Sequence, residues 1–309
     1  MTASDSGARR HEERPAVDVL IPTYRRPTAL AMTLAGLAGQ SYDRLRIVIS
    51  DQTEDDPLPS RSAEVEAVVR VLDASGRRVE RHHHVPSRGM AEQRRFLLRR
   101  ADAPYALFID DDVLLEPDLV ERLVTAIRRA RCGFVGSALI GLSFRDDVRP
   151  REQAIEFWDG PVRPEWIRPG TAAWERHRLH NAANLLHLRE ELRPTEDRLY
   201  KVAWVGGCVL YDVDKLRASG GFSFWRQLPV RHSGEDVLAQ LQVMGRYGGC
   251  GLFPSGAYHL EVPTTIAERR VDAPRVLVPS TRVRSAARRR QSARRSSPRS
   301  RHSPRASVR

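Results

Sequence analysis

Cysteine is nearly absent: Cys132, Cys208 and Cys250 are the only three in 309 residues. None belongs to a Cys-x-x-Cys pair, so no disulfide framework or thiolate metal site is implied. Aromatic residues are scarce as well, at 6%. No apolar run approaches the ~18 residues of a membrane-spanning helix. The opening stretch, MTASDSGARRHEERPA, holds no apolar core of leader length. These absences predict a reduced, cytoplasmic protein. Acidic residues are missing from one region only: Arg275 to Arg309 contains twelve Arg, no Lys, no Asp and no Glu. That segment therefore carries the whole formal charge of +12 and leaves the remainder neutral. Rich in Arg, Ser and Pro, it cannot bury a core and is expected to be a disordered basic C-terminal tail. Such a tail is either merely solvated or makes weak contact with an anionic membrane or nucleic acid, and membrane contact would place the protein at a membrane periphery. No nucleic-acid motif with interleaved aromatics accompanies it.

What is present is a body of ordinary hydrophobic content, 41% of the chain, long enough for one large domain. VDVLIPTY (Val17 to Tyr24), LRIVIS (Leu45 to Ser50) and YALFID (Tyr105 to Asp110) read as buried strands, and VERHHHV as a short polar one. Between and after them lie helical patterns: PTALAMTLAGLAGQ, with Leu30, Leu34 and Leu37 on one face; GMAEQRRFLLRRA; and EPDLVERLVTAIRRA. CGFVGSALI predicts a further strand. Strand and helix alternating over short links argue for an α/β, mainly parallel sheet with helices on both faces, and uniformly apolar strands suit a sheet covered twice. Arg145 to Lys201 departs from this pattern, with weak periodicity and a helix expected near Ala172 to Glu191. Regularity returns at VAWVGGCVLYDVDKLRASGGF and in a helix over Gly234 to Tyr247. The domain is read as residues 16–265, with residues 1–15 and 266–309 disordered.

In open parallel sheets, ligands bind beyond the carboxyl ends of the strands. Thr23, Tyr24 and Arg25 follow the first strand, Asp51 the second, and Asp110, Asp111 and Asp112 the strand YALFID. Two unit charges ~4 Å apart cost about 4 kcal/mol at an effective dielectric of ~20, so three adjacent acids need a reason. Helix capping or a solvated turn is one. A hard cation with oxygen ligands, Mn²⁺ or Mg²⁺, is the other. Glu235 and Asp236 open a later helix, where acids also satisfy the macrodipole. Trp158, Trp166, Trp174 and Trp204 are read as packing residues first, with contacts to an acceptor or sugar the alternative. The run His82 to His84 lacks partner spacing and is read as a polar strand.

VDVLIPTYRRPTALAMTLAGLAGQSYDRLRIVISDQTEDD resembles the start of the family 2 glycosyltransferases of the GT-A (Rossmann-like) type. SRGMAEQRRFLLRRADAPYALFIDDDVLLEPDLVERLV continues the likeness through that family's DxD region. WVGGCVLYDVDKLRASGGF and SGEDVLAQLQVMGRYG are similar to its later acceptor-loop and ED segments. The resemblance implies a transferase acting on a nucleotide-sugar donor, a UDP-sugar by the family pattern, with an unknown acceptor, a divalent ion and inversion. It implies that Pro22, Thr23, Tyr24 and Arg25 line the nucleotide pocket and that Asp51 pairs with a uracil-type base, although SDQT stands where many relatives have DDGS. Arg88 and Gly89 would pass near the nucleotide, and Arg95 would hold phosphate or the DxD loop. Asp110 and Asp111 would contact the donor, while Asp112, together with His259, would ligate the metal. Gly206 and Gly207 would lie by the donor sugar and acceptor, with Asp236, or its neighbour Glu235, as the catalytic base, Ser233 capping their helix, and the excursion shaping the acceptor site. Two other readings stay open. A nucleotidyltransferase of similar sheet would release pyrophosphate. A non-catalytic scaffold acting through the basic tail would survive loss of Asp112 and Asp236.

Overall fold

The computed structural model describes residues 14–264 and 270–278. Its larger sheet has eight strands: β1 (Val17–Thr23), β2 (Leu45–Asp51), β3 (Arg78–His83), β4 (Tyr105–Ile109), β6 (Phe134–Gly136), β8 (Arg198–Tyr200), β9 (Cys208–Asp212) and β10 (Gly249–Phe253). A smaller sheet joins β5 (Val113–Leu115), β11 (Ala257–His259) and β7 (Ile140–Gly141). The helices are α1 (Pro27–Ala38), α2 (Ala63–Ala74), α3 (Met90–Leu98), α4 (Leu119–Ala130), α5 (Asn184–Leu192), α6 (Val213–Ala218), α7 (Glu235–Tyr247) and α8 (Ala273–Leu277).

The large sheet runs β3-β2-β1-β4-β9-β6-β10-β8. β3, β2, β1 and β4 are mutually parallel, as are β6 and β10, while β9 and β8 run against their neighbours. Side chains alternate between the two faces, as the two-residue period of a strand demands. Val17, Val19 and Ile21 enter one core with Ile47, Ile49, Leu107 and Ile109. Leu20, Val48 and Phe108 enter the other. α1, α2 and α4 cover the first face through Leu30, Leu34, Leu37, Val65 and Leu123. α3, α6 and α7 cover the second through Leu97, Leu216 and Leu238. This is the α/β architecture that uniformly apolar strands predicted.

Several local expectations are corrected. CGFVGSALI is not one strand; it divides into β6 and β7, which belong to different sheets. The helix expected over Ala172 to Glu191 breaks into a 3₁₀ segment, Ala172–His180, and α5, with Ala182 between them at φ 48°. α2 was not foreseen, although Glu64 and Glu66 in its first turn favour a helix N-terminus. The tail boundary at 266 is also moved. Residues 270–278 return to the body, where Ser233 pairs with Asp272 and Ala273 is fully buried against it. The remaining tail, 279–309, lies outside the described residues, as does the expectation that it contacts membrane or nucleic acid. Among the described residues no helix is long and apolar enough to cross a membrane.

Candidate active site

The carboxyl ends of β1 and β4, the start of α3, the start of α7 and the end of β11 enclose a cleft of about 340 Å³. Its two walls are acidic. Asp110, Asp111 and Asp112 form one, just beyond β4. Glu235 and Asp236 form the other, in the first turn of α7.

On the β4 wall each carboxylate has its own surroundings. Asp111 accepts a hydrogen bond from Thr23 Oγ1 at 2.7 Å and one from Arg26 Nη1 at 3.2 Å. Burial raises its pKa to about 6, with Asp112 and Asp110 adding to the rise while Thr23 and Arg26 oppose it. Asp112 Oδ2 accepts from Arg26 Nη1 at 2.8 Å and stands 3.3 Å from His259 Nε2. Burial would raise Asp112, but His259 and Arg26 outweigh it and hold the group below the usual carboxylate range. The same contact raises His259. The small sheet makes this pairing: His259 of β11 stands opposite Val113 of β5, and Leu260 N donates to the Asp112 carbonyl at 2.8 Å. Asp110 is the most open of the three and accepts from Arg94 Nη2 at 2.9 Å.

Asp112 and His259 thus place one carboxylate oxygen and one imidazole nitrogen 3.3 Å apart at the cleft. The carboxylate suits Mn²⁺ or Mg²⁺, and the imidazole favours the transition ion of the two. Among the described residues no three His, Cys, Asp or Glu side chains close round one point. A two-ligand site of this kind fits an ion whose other positions go to phosphate oxygens and water.

The α7 wall is organised by a residue the sequence reading missed. Arg94 is buried and donates from Nε to Glu235 Oε1 at 3.0 Å while its Nη2 reaches Asp110. Burial opposes its charge, but Asp110, Glu235 and Asp236 outweigh that and raise its pKa. The expected phosphate-holding arginine, Arg95, does not line the cleft. One residue along a helix turns the side chain by about 100°, and it is Arg94 that falls with Ala91, Leu97 and Leu98 on the buried face. That spacing is legible in the sequence. Glu235, proposed alongside Asp236 as base, is a buried anchor for Arg94. Asp236 has no such partner. Burial, then the neighbouring Glu235, pushes it up to about 7, with Asp110 adding and Arg94 opposing.

Ser233 does not cap α7. Its backbone pairs with Val271 and Ala273, and Gly234 precedes the helix packed against Asp272 and Pro274. His232, also unforeseen, accepts from Ala91 N at 3.1 Å through Nε2 and faces the Pro229 carbonyl through Nδ1 at 2.7 Å, which fixes the neutral tautomer that donates there. It joins the loop before α7 to the start of α3.

Pro22, Thr23, Tyr24, Asp110, Asp111, Asp112, Glu235, Asp236 and His259 all line the cleft. Arg25, Asp51, Arg88, Gly89, Gly206 and Gly207 are not among the lining residues. Arg25 turns outward to pair with Asp55. Asp51 is fully buried, and its two oxygens accept from Thr53 N at 2.9 Å and Ser60 N at 3.0 Å. It holds the turn after β2. Arg88 is exposed, and a Cβ on Gly89 would lie 2.5 Å from the Val230 carbonyl oxygen, so Gly89 serves the packing of α3 against that loop. A Cβ on Gly206 would meet open space. Gly207 has φ +72° and accepts from Asp110 N at 3.0 Å, and a Cβ there would lie 2.3 Å from Leu139. The excursion's tryptophans do not gather. Trp174 packs on Trp204 with centroids 4.6 Å apart, Trp166 is exposed, and Trp158 lies beside a separate hollow with Arg129 and Arg198.

Comparison with known proteins points one way. The sequence model described as glycosyl transferase family 2 matches residues 18–185. The succinoglycan biosynthesis protein ExoM of Rhizobium meliloti (strain 1021) is 27% identical over 157 residues, covering 50% of this chain and 43% of ExoM. The chain thus matches less than half the length of that relative. Among solved structures, the mannosyltransferase PcManGT from Pyrobaculum calidifontis, in complex with GDP-Man and Mn²⁺, superposes with a TM-score of 0.51 at 18% identity, covering 82% of this chain and 59% of its own. That likeness concerns the fold. S. aureus TarS 1–349 in complex with UDP-GlcNAc gives a TM-score of 0.49 at 14% identity, covering 81% of this chain and 60% of its own.

Proposed function

The chain belongs to glycosyl transferase family 2 and is a transferase enzyme, and from that premise we propose how its cleft moves a sugar. The donor is a nucleoside diphosphate sugar, with UDP the nucleotide expected from the family resemblance. Its diphosphate lies against the β4 wall and its sugar points toward α7. Asp112 and His259 would hold a divalent ion, which would supply Lewis-acid stabilisation of the charge on the departing diphosphate. Asp110, held by Arg94, faces the donor between the two walls. Asp236 takes the proton from the acceptor hydroxyl as that oxygen attacks the anomeric carbon. The carbon–oxygen bond to the diphosphate breaks on the opposite side, and the electron pair leaves with the phosphate. Attack and departure on opposite faces give inversion.

One observation carries this reading. Asp236 lines the cleft across from Asp110, Asp111 and Asp112, and it has no hydrogen-bonded cation while its neighbour Glu235 is held by Arg94, and burial raises its pKa to about 7. A base works best when its pKa lies near the working pH. The acceptor is proposed to enter beside α7, next to the excursion. Asp51 takes no part in this proposal.

The test is calorimetric titration of the full chain with UDP, GDP, CDP and dTDP, in Mn²⁺ and in chelator. Binding of one diphosphate that requires the ion and is lost in Asp112→Ala is the expected outcome, and it names the donor nucleotide. Tight binding unchanged by chelator and by Asp112→Ala would remove the ion from the mechanism.

A further inference from the structure

Arg26 stands where the carboxylates of the β4 wall converge. Its Nη1 donates to Asp112 Oδ2 at 2.8 Å and to Asp111 Oδ1 at 3.2 Å, and its Nη2 donates to the Pro263 carbonyl at 2.6 Å. Its Nε is buried without a hydrogen-bond partner. A guanidinium has five N–H donors in a rigid fork that matches carboxylates and phosphates. In this pose the fork is anchored and one buried donor is unused.

The oxygen that Arg26 holds is the one that faces His259, 3.3 Å away. An ion bound to Asp112 and His259 would take that oxygen. It would also stand within about 4 Å of a second positive charge, a separation at which like charges repel even near a protein surface. The two cations cannot share Asp112 on these terms.

We propose that Arg26 is an exchangeable counter-cation of the donor site. It neutralises Asp111 and Asp112 in the free protein, yields Asp112 to the divalent ion, and turns its fork to the diphosphate that arrives with it. The proposal rests on the metal-site reading above. The ion alone must displace Arg26 from Asp112 and leaves its fork with only Asp111 as an anionic partner. With the diphosphate present, the displaced fork gains a bidentate anion. Ion and nucleotide therefore favour one another's binding, and the coupling is reciprocal.

The probe is Mn²⁺, followed by the electron paramagnetic resonance of the free ion, with the full chain and with or without UDP. Wild type is expected to bind Mn²⁺ weakly alone and more tightly with UDP. Arg26→Gln is expected to bind Mn²⁺ alone about 10-fold more tightly, because a charge beside the site has gone, and to lose most of the enhancement by UDP. Equal or weaker binding of Mn²⁺ alone by Arg26→Gln, with wild type still binding, overturns the exchange and leaves the metal site standing. No Mn²⁺ binding by either protein, with or without UDP, overturns the metal site and the exchange together. If Arg26→Gln does not fold, Arg26→Lys decides. Its single, more mobile charge should let Mn²⁺ bind more tightly than in wild type, and equal or weaker binding overturns the exchange.

Discussion

The cleft has two acidic walls, both made of acids adjacent in sequence, and the protein neutralises them to different degrees. On the β4 wall, Arg26 bridges Asp111 and Asp112, His259 faces Asp112, and Arg94 reaches Asp110. On the α7 wall, Arg94 also serves, and its contact there goes to Glu235. Asp236 has no hydrogen-bonded cation, and burial, then Glu235, push its pKa up to about 7 against the pull of Arg94. Adjacent acids with many cations around them are suited to hold cations. An acid deprived of one is suited to accept a proton.

Removing the group that sets the walls apart should have the largest effect. Asp236→Asn is expected to lower transfer about 1000-fold, within the usual range for a general base, while diphosphate binding stays near wild type by calorimetry. Loss of less than about 10-fold in a transfer assay would mean the base lies elsewhere. Cutting the link between the walls comes next. Arg94→Met leaves Asp110 and Glu235 without their buried partner, and urea unfolding should show a loss of about 3–5 kcal/mol. Little change in the unfolding midpoint would show that the two walls do not depend on Arg94.

The comparison can also be sharpened with pH. Because the base must be ionised, kcat/KM should fall as pH drops through about 7, the value to which Asp236 is raised. Glu235→Gln removes the nearest like charge, so the midpoint of this profile should move to lower pH, with kcat above the midpoint reduced no more than about 10-fold. An unmoved midpoint would assign the ionisation to another group. The smallest effect is on stability. Between the ordinary 3.8 and about 7, the folded state holds a proton on Asp236 that the unfolded chain has released. Stability conferred by that proton is therefore lost as pH rises through this window. Asp236→Asn, which cannot ionise, should gain about 2–3 kcal/mol relative to wild type between pH 5 and pH 8. An equal pH dependence in both proteins would show that Asp236 does not titrate in that window.

Much of the fold was legible because its signals are short-range. An apolar run such as Val17 to Thr23 can only be a strand buried on both faces, and Leu30, Leu34 and Leu37 can only share one side of a helix. The positions of Asp112 and Asp236 were legible for the same reason, since each follows or opens such an element. His259 was named only through the family resemblance, and its contact with Asp112 depends on a small sheet that joins β5 to β11. Arg26 and Arg94 were passed over for Arg25 and Arg95. Neighbouring arginines differ in direction rather than in type, and direction depends on what each element packs against. Asp51 was read as facing a ligand because it ends a strand, but the turn after β2 supplied its hydrogen bonds from Thr53 and Ser60.

By itself the sequence determined most of the strands and helices of the sheet-forming core, and that acids would collect beyond β4 and at the start of α7. Both follow from residues within a few positions of one another, through the two periodicities of the backbone. Only the tertiary structure decided which charge each acid meets. Arg94 lies 141 residues from Glu235 and Arg26 lies 86 from Asp112, and sheet order and helix orientation set those distances. Coulombic and hydrogen-bond energies depend on separations of a few ångströms. The division of labour between the two walls therefore arises only when the chain has folded.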